Sequence, residues 1–268
     1  MSRMRAALQR TLLTTYKHVN QSGLLDTPLA ERVFQRCYFA YKYLVEDSFA
    51  RLAKARPELF AGGEIIDVGA NIGYTAALFA RAIQAPHRVH AFEPEERNFR
   101  WLEHAIEREK LGDRIIAHRA AVGSHDGMID LWHNPAHHGD HRIASQGSAD
   151  GSTQRVPLTA IDTYVSRQGW PAVSFIKIDV QGFEPEVLAG VHETIARNPR
   201  LTVAVELMPS ALSEMGFDPE RFVHDLAAAL PRLAILERDG SLRSTSVDAI
   251  LGTVARSDVG YADLVCAR

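Results

Sequence analysis

The chain has 268 residues, 46% of them hydrophobic and 24% charged, and a net charge of −3. This is the composition of an ordinary soluble globular protein, long enough for one large domain or a domain with an appendage. The charge argues against a dedicated nucleic-acid binder, which needs a net basic face. Cys37 and Cys266 make no metal or redox spacing and suit a reducing cytoplasm.

The start, MSRMRAALQRTLLTTYKHV, carries Arg3, Arg5, Arg10 and Lys17 and no acid. It lacks the continuous apolar segment and small-residue cleavage site of a signal peptide. No run reaches the roughly 18 apolar residues of a membrane span. Met4, Leu8, Leu12, Tyr16 and Val19 recur at helical spacing and predict an amphipathic helix with a basic face. Such a helix either docks on the domain or touches a membrane surface. Over residues 29–55, Val33, Phe34, Cys37, Tyr38, Tyr41, Leu44, Val45, Phe49 and Leu52 continue a helical apolar stripe. We therefore divide the chain into an N-terminal helical region, 1–60, and a domain, 61–268.

From residue 64 strands and helices alternate. EIIDVGA reads as a buried strand, YTAALFARAI as a helix, and RVHAFEP as a second strand. A helix follows that opens at Pro94 with Glu95 and Glu96 in its first turn. RIIAHRAAV reads as the third strand, after which Asp126-Gly127 signals a hairpin turn and MIDLW an extra strand. SQGSADGST (145–153) is a polar loop, and Thr159 with Asp162 predicts a capping box for a short helix. SFIKIDV is the fourth alternating strand, PEVLAGVHETIARN one helix, and LTVAVEL the fifth strand. Asp218-Pro219 starts a further helix, and RLAILERDGSLR and YADLVCAR supply late strands. No internal repeat appears. Such alternation predicts a mostly parallel sheet with helices on both faces.

In sheets of this kind ligands sit beyond the carboxyl ends of the strands. The first strand ends in Asp67-Val68-Gly69-Ala70-Asn71-Ile72-Gly73, where glycines let the backbone turn and approach a ligand closely. The spacing D-x-G-x-x-x-G is not the G-x-G-x-x-G that cradles a pyrophosphate. A cofactor without phosphates that bears a cation fits better, with Asp67 for its charged end. The second strand ends in Phe92-Glu93-Pro94, placing an acid where ribose hydroxyls are accepted in dinucleotide and S-adenosylmethionine sites.

DVGANIG, AFEPEERNF, RAAVGSHDG, VPLTAIDTY, FIKIDVQGFEPEVLAG and AVELMP, in this order over about residues 64–208, resemble the FkbM family of S-adenosylmethionine-dependent methyltransferases. The resemblance implies a class I methyltransferase fold: a Rossmann-like seven-stranded sheet, last strand antiparallel. It also implies O-methylation of a hydroxyl on a sugar, glycan, glycolipid or natural product. Asp67, Gly69, Asn71 and Gly73 would line the cofactor, Glu93 hold its ribose, and Ala120-Ala121 face its adenine. The expected cofactor set extends to Ala70, Tyr74, Thr75, Pro94, Asn98 and Asp179. Gln181 stands where the family often has Glu in K-I-D-x-E-G. That removes one carboxylate and leaves Asp179 and Glu184.

In the class I strand order the fourth and fifth strands are neighbours, about 4.8 Å apart. Asp179 and Glu206 at their ends therefore repel, unless one is protonated or a cation sits beside them. Lys177, two residues before Asp179, is one candidate cation; a divalent metal such as Mg²⁺ on Asp179 and Glu206 is another. In a third reading the two acids merely accept from backbone amides of the following turns. A hydroxyl is a poor nucleophile until its proton is removed or a metal polarises it.

Outside the resemblance lies the loop NPAHHGDHRIAS, with His137, His138, Asp140, His141 and Arg142 in six positions. It is a solvated loop, part of a metal site, or a flap over the pocket. We expect the flap: His138 or His141 as general base, Asp140 orienting it, His137 and Arg142 on the substrate. The competing readings are a nicotinamide-dependent oxidoreductase, disfavoured by the glycine spacing, and a non-catalytic cofactor-binding module. Nucleic-acid methylation is weaker still, since no N/D-P-P-Y-type segment follows the fourth strand. The expected partners are a small-molecule or glycan acceptor and, for the N-terminal helix, a membrane surface; a homo-oligomer is left open.

Overall fold

The computed structural model describes Phe39, residues 48–132, the backbone of 142–143, residues 153–255 and residues 260–268. In chain order the strands are β1 (Glu64–Val68), β2 (Val89–Phe92), β3 (Ile115–His118), β4 (Ala121–Val122), β5 (Gly127–Trp132) and β6 (Arg142–Ile143). Then come β7 (Thr153–Thr159), β8 (Val173–Ile178), β9 (Thr202–Leu207), β10 (Arg232–Leu236), β11 (Leu242–Ser244) and β12 (Ala262–Ala267). The helices are α1 (Ser48–Ala55), α2 (Tyr74–Ala82), α3 (Glu96–Arg108), α4 (Ile161–Arg167), α5 (Glu184–Ala189), α6 (His192–Arg197), α7 (Pro209–Glu214), α8 (Pro219–Ala229) and α9 (Val247–Ala255).

The main sheet runs β11-β10-β12-β9-β8-β1-β2-β3. Strands β3, β2, β1, β8 and β9 are mutually parallel, and β12 is antiparallel to both β9 and β10. This is the expected class I order with one addition: Glu237–Ser241 turns the chain back so that β11 pairs antiparallel with β10, giving eight strands instead of seven. The parallel strands read as near-continuous apolar runs because helices cover both faces. Strand parity assigns the faces. Ile66, Val68, Ile176 and Ile178 belong to one core cluster, whereas Ile65 and Phe175 belong to the other.

Residues 48–60 pack into that second cluster. Phe49 and Leu52 of α1 are buried, and Phe60 stacks on Phe175 and Phe79 at 4.6 and 5.6 Å. On the opposite face a polar seam crosses the sheet. The Tyr164 hydroxyl lies 2.7 Å from His90 Nδ1 and 2.9 Å from His118 Nε2, and His90 Nε2 is 3.2 Å from Glu64. Burial pushes the His118 imidazole down to about 4, so it is neutral.

Three expected elements are corrected. RIIAHRAAV is not one strand: it breaks after His118, and Ala121-Val122 joins a second sheet of order β4-β7-β5-β6. In that sheet MIDLW pairs antiparallel with Thr153–Thr159, a strand the sequence did not announce. PEVLAGVHETIARN is two helices. A side chain at Gly190 would stand 2.1 Å from the Gly123 carbonyl oxygen, and the Gly190 carbonyl accepts from Asp162 N instead of continuing α5. The Thr159–Asp162 capping box is absent as well. Thr159 donates to Asp126, and Asp162 accepts from the backbone amides of Glu193 and Thr194, capping α6.

Candidate active site

The sites expected from sequence converge at the carboxyl ends of β1, β2, β8 and β9. After Val68 the chain turns through Gly69 (φ 79°), Asn71 (φ 50°) and Gly73 (φ 88°), all left-handed. Gly69 is obligatory for a further reason: a Cβ there would lie 1.9 Å from the Asp179 carbonyl oxygen. Asp179 N in turn donates to Val68 O. The first turn and the end of β8 are therefore in backbone contact, and Asp179 stands beside the glycine loop.

Asp67 is fully buried beneath this turn. Its Oδ2 accepts from Thr75 Oγ1 at 2.7 Å, while Oδ1 has no partner among the described residues. Burial raises its pKa, with Lys177 opposing the shift. Glu93, 6% exposed, links the first two loops: Oε2 accepts from Asn71 N at 2.8 Å and Oε1 from Glu95 N at 3.0 Å. The Asn98 side chain adds a hydrogen bond. Burial still pushes the Glu93 carboxyl up to about 8. Glu95 caps α3 through the Asn98 amide, and Pro94 lies between the two acids. Ala70 is buried in the loop. Tyr74 opens α2 with its ring edge-on to Phe39 at 5.4 Å. Ala120 follows the end of β3, and Ala121 is buried with Phe183, Leu131 and Leu158 in the core of the second sheet.

Asp179, just after β8, and Glu206, near the end of β9, are joined by side chains. Lys177 Nζ contacts Asp179 Oδ2 at 2.9 Å. Gln181 Nε2 lies 3.1 Å from Asp179 Oδ1 and 2.9 Å from Glu206 Oε2. Lys177 is buried while Asp179 keeps 29% of its side-chain exposure, so the carboxylate is the reachable member of the pair. Burial works against the charged form of Asp179, yet Lys177 and Gln181 hold it below the ordinary carboxylate range. Glu206 is driven the other way: burial, Asp179 and Asp263 raise its carboxyl well above the ordinary range. Burial works against the Lys177 ammonium too, but Asp179 and Asp67 hold it protonated.

Glu184 takes no part in this group. It accepts from Val180 N and Gly182 N at the start of α5, and burial raises its carboxyl to about 7. His137, His138, Asp140 and His141 lie outside the described residues. The backbone at Arg142 pairs with Trp132. Among the described residues no group of three or more His, Cys, Asp or Glu side chains could hold a metal ion. No described helix is long and apolar enough to cross a membrane.

A family model, the methyltransferase FkbM domain, matches residues 67–235, more than half of the chain. The chain belongs to the FkbM methyltransferase family. Among curated relatives it is 30% identical over 130 residues to the hexuronic acid methyltransferase AglP of Haloferax volcanii, covering 48% of this chain and 50% of that protein. It is 28% identical over 153 residues to the 2-O-methyltransferase NoeI of Sinorhizobium fredii, covering 50% and 59%. The chain thus spans about half the length of the curated relatives it matches. A solved FkbM methyltransferase from Methylobacillus flagellatus is similar at 16% identity and a TM-score of 0.49, over 77% of this chain and 44% of that one. The fold assignment itself rests on the strand order. The residues of this FkbM chain fit S-adenosylmethionine: Asp67 offers a buried unpartnered oxygen, the glycine loop a close backbone approach, and Glu93 an acid at the β2 end.

Proposed function

We propose that this FkbM protein is an S-adenosylmethionine-dependent O-methyltransferase whose acceptor is a sugar hydroxyl. One observation carries the reading: Asp179, ionised and partly exposed, is fixed in backbone contact with the glycine loop that would hold the cofactor. The names of the relatives, a hexuronic acid methyltransferase and a 2-O-methyltransferase, support the sugar. The acceptor-screening test below decides it.

When bound, the cofactor supplies an electrophilic methyl group on a sulfonium. Glu93 would accept from the ribose hydroxyls, and Asp67 would face the cationic end of the cofactor. Asp179 would orient the acceptor hydroxyl and hold its proton once the methyl group has left sulfur for that oxygen. Lys177 keeps Asp179 ionised, which favours orientation over strong basicity. Positioning at near-attack distance is the larger contribution in such a displacement. His138 and His141 stay proposed as alternative proton acceptors from the loop; their single replacement by Ala tests that role. The domain division, with 61–268 as the methyltransferase domain, is proposed on the same footing.

Labelled cofactor offered with uronic acids, neutral glycans, glycolipids and hydroxylated metabolites should place the methyl group on a sugar oxygen. Labelling of a non-sugar acceptor alone would overturn the sugar assignment.

A further inference from the structure

We propose that Gln181 is a positioning residue that does, with an amide, the work a divalent cation would do between Asp179 and Glu206, and that methyl transfer here is therefore metal-independent. The inference rests on Asp179 facing the acceptor. It starts from geometry. Two carboxyl groups from adjacent strands converge, and the Gln181 side chain lies between them, with Nε2 at 3.1 Å from one and 2.9 Å from the other. An amide offers two N–H donors on one nitrogen, and both are used. Asp179 is an ionised acceptor held by Lys177, so the amide turns its nitrogen, not its oxygen, toward that carboxylate, beside the hydrogen bond that Asp179 and Glu206 share.

The backbone supports the assignment. Gln181 has φ 53°, left-handed for a residue with a long side chain, on a turn whose next residue, Gly182, has φ 103°. A non-glycine residue in that region is strained, and such strain gathers at functional sites. Here the conformation aims the amide at the two acids. The other charges that face Asp179 and Glu206 are Lys177 from β8, Asp67 from β1, Asp263 from β12 and Glu184 from α5. Lys177 already occupies Asp179 Oδ2. A hard cation wants six or more oxygen ligands. At this place it would meet an ammonium and an amide nitrogen, both donors. The Gln at this position is the departure noted in the K-I-D-x-E-G segment. It exchanges a third carboxylate for a donor and so changes what the two remaining acids can bind.

Gln181→Glu reverses the exchange by putting three carboxyl groups within hydrogen-bond reach. The test is Mn²⁺ binding followed by electron paramagnetic resonance, on the full-length wild type and on the variant, with methyl transfer measured in EDTA and in Mg²⁺. Wild type should bind no Mn²⁺ at this site and turn over equally with EDTA or Mg²⁺. Gln181→Glu should bind one Mn²⁺ on the order of 10⁻⁴ M or tighter. Its turnover should fall at least tenfold in EDTA and recover with Mg²⁺. Gln181→Met covers the case in which three acids prevent folding. It keeps the length and removes the donor, so the carboxyl of Asp179 rises and the acid limb of kcat/KM moves to higher pH. Mn²⁺ bound by wild type and lost in Asp179→Asn would overturn the proposal, as would an unmoved acid limb in Gln181→Met. The Mn²⁺ measurement needs no turnover. If Asp179 proves dispensable for methyl transfer, that reading fails separately from this one.

Discussion

One side chain, Glu93, joins folding to the proposed cofactor site. Its two oxygens hold the Asn71 and Glu95 amides, so it ties the β1 and β2 loops together before any ligand arrives. Its carboxyl titrates near 8 because it is buried. Ribose hydroxyls would donate to the ionised form and so favour loss of the proton. Cofactor affinity should then rise with pH by up to about tenfold per unit below about 8 and level off above it. Glu93→Gln should flatten that component and weaken binding at high pH by about 1.5–3 kcal/mol, the scale of a hydrogen bond to a charged group. Calorimetry across this range decides it; identical pH profiles for the two proteins would remove Glu93 from the ribose. The sign for stability is opposite. A carboxyl raised in the folded state contributes stability below its unfolded value, and this is lost as pH rises through about 8. At this scale much was legible. Asp67, Lys177, Asp179 and Glu206 follow from strand ends and parity alone. Gln181 read as a lost carboxylate, because whether an amide bridges two acids depends on how two adjacent turns meet, which spacing does not encode.

At the scale of elements, the acid that reads as a local cap instead ties two helices, α4 and α6, together. Asp162 sits one residue inside α4, yet its carboxylate accepts from Glu193 N, Thr194 N and Thr194 Oγ1 at the start of α6. Replacing it by Ala removes an N-cap supplied from another helix. Urea unfolding should show a loss of about 0.5–2 kcal/mol, and Asn should recover most of it. No change in the urea midpoint for Asp162→Ala would show that water replaces the cap without cost. The sequence signal, Thr followed three residues later by Asp, was real, but its acid serves a partner 31 residues away. Strand β7 was missed for a related reason. TQRVPLT buries only Val156 and Leu158 and carries Pro157, which counts against a strand in sequence, and the sequence alone assigns it to no element. Its partner MIDLW was legible from the Asp126-Gly127 turn. Likewise the break after His118 leaves no mark in RIIAHRAAV, since both halves are apolar and only the partner sheet changes.

For the whole molecule, alternation in the sequence was enough to give the parallel sheet and its ligand edge. The helical stripe that ends in Phe49 and Leu52 reads as core and is buried as such, but the stack of Phe60 on Phe79 and Phe175 was not legible. Leu52 is fully buried with Phe60 and Phe79, under the face that carries Asp67 and Lys177. Leu52→Ala should therefore cost about 2–5 kcal/mol in a single cooperative transition. Lys54→Ala on the exposed side of the same helix should stay within about 0.5 kcal/mol. A separate early transition confined to the Leu52 variant would mean that this helix folds apart from the domain.

The central claim is that the β1 loop and the β8 end form one methyl-transfer site with Asp179 at the acceptor. The most direct test measures kcat and cofactor Kd side by side for the wild type and Asp179→Asn, which keeps the shape and removes the charge. In Asp179→Asn kcat should fall by about 10²–10⁴-fold while Kd changes less than about threefold. Wild-type turnover in Asp179→Asn would contradict it.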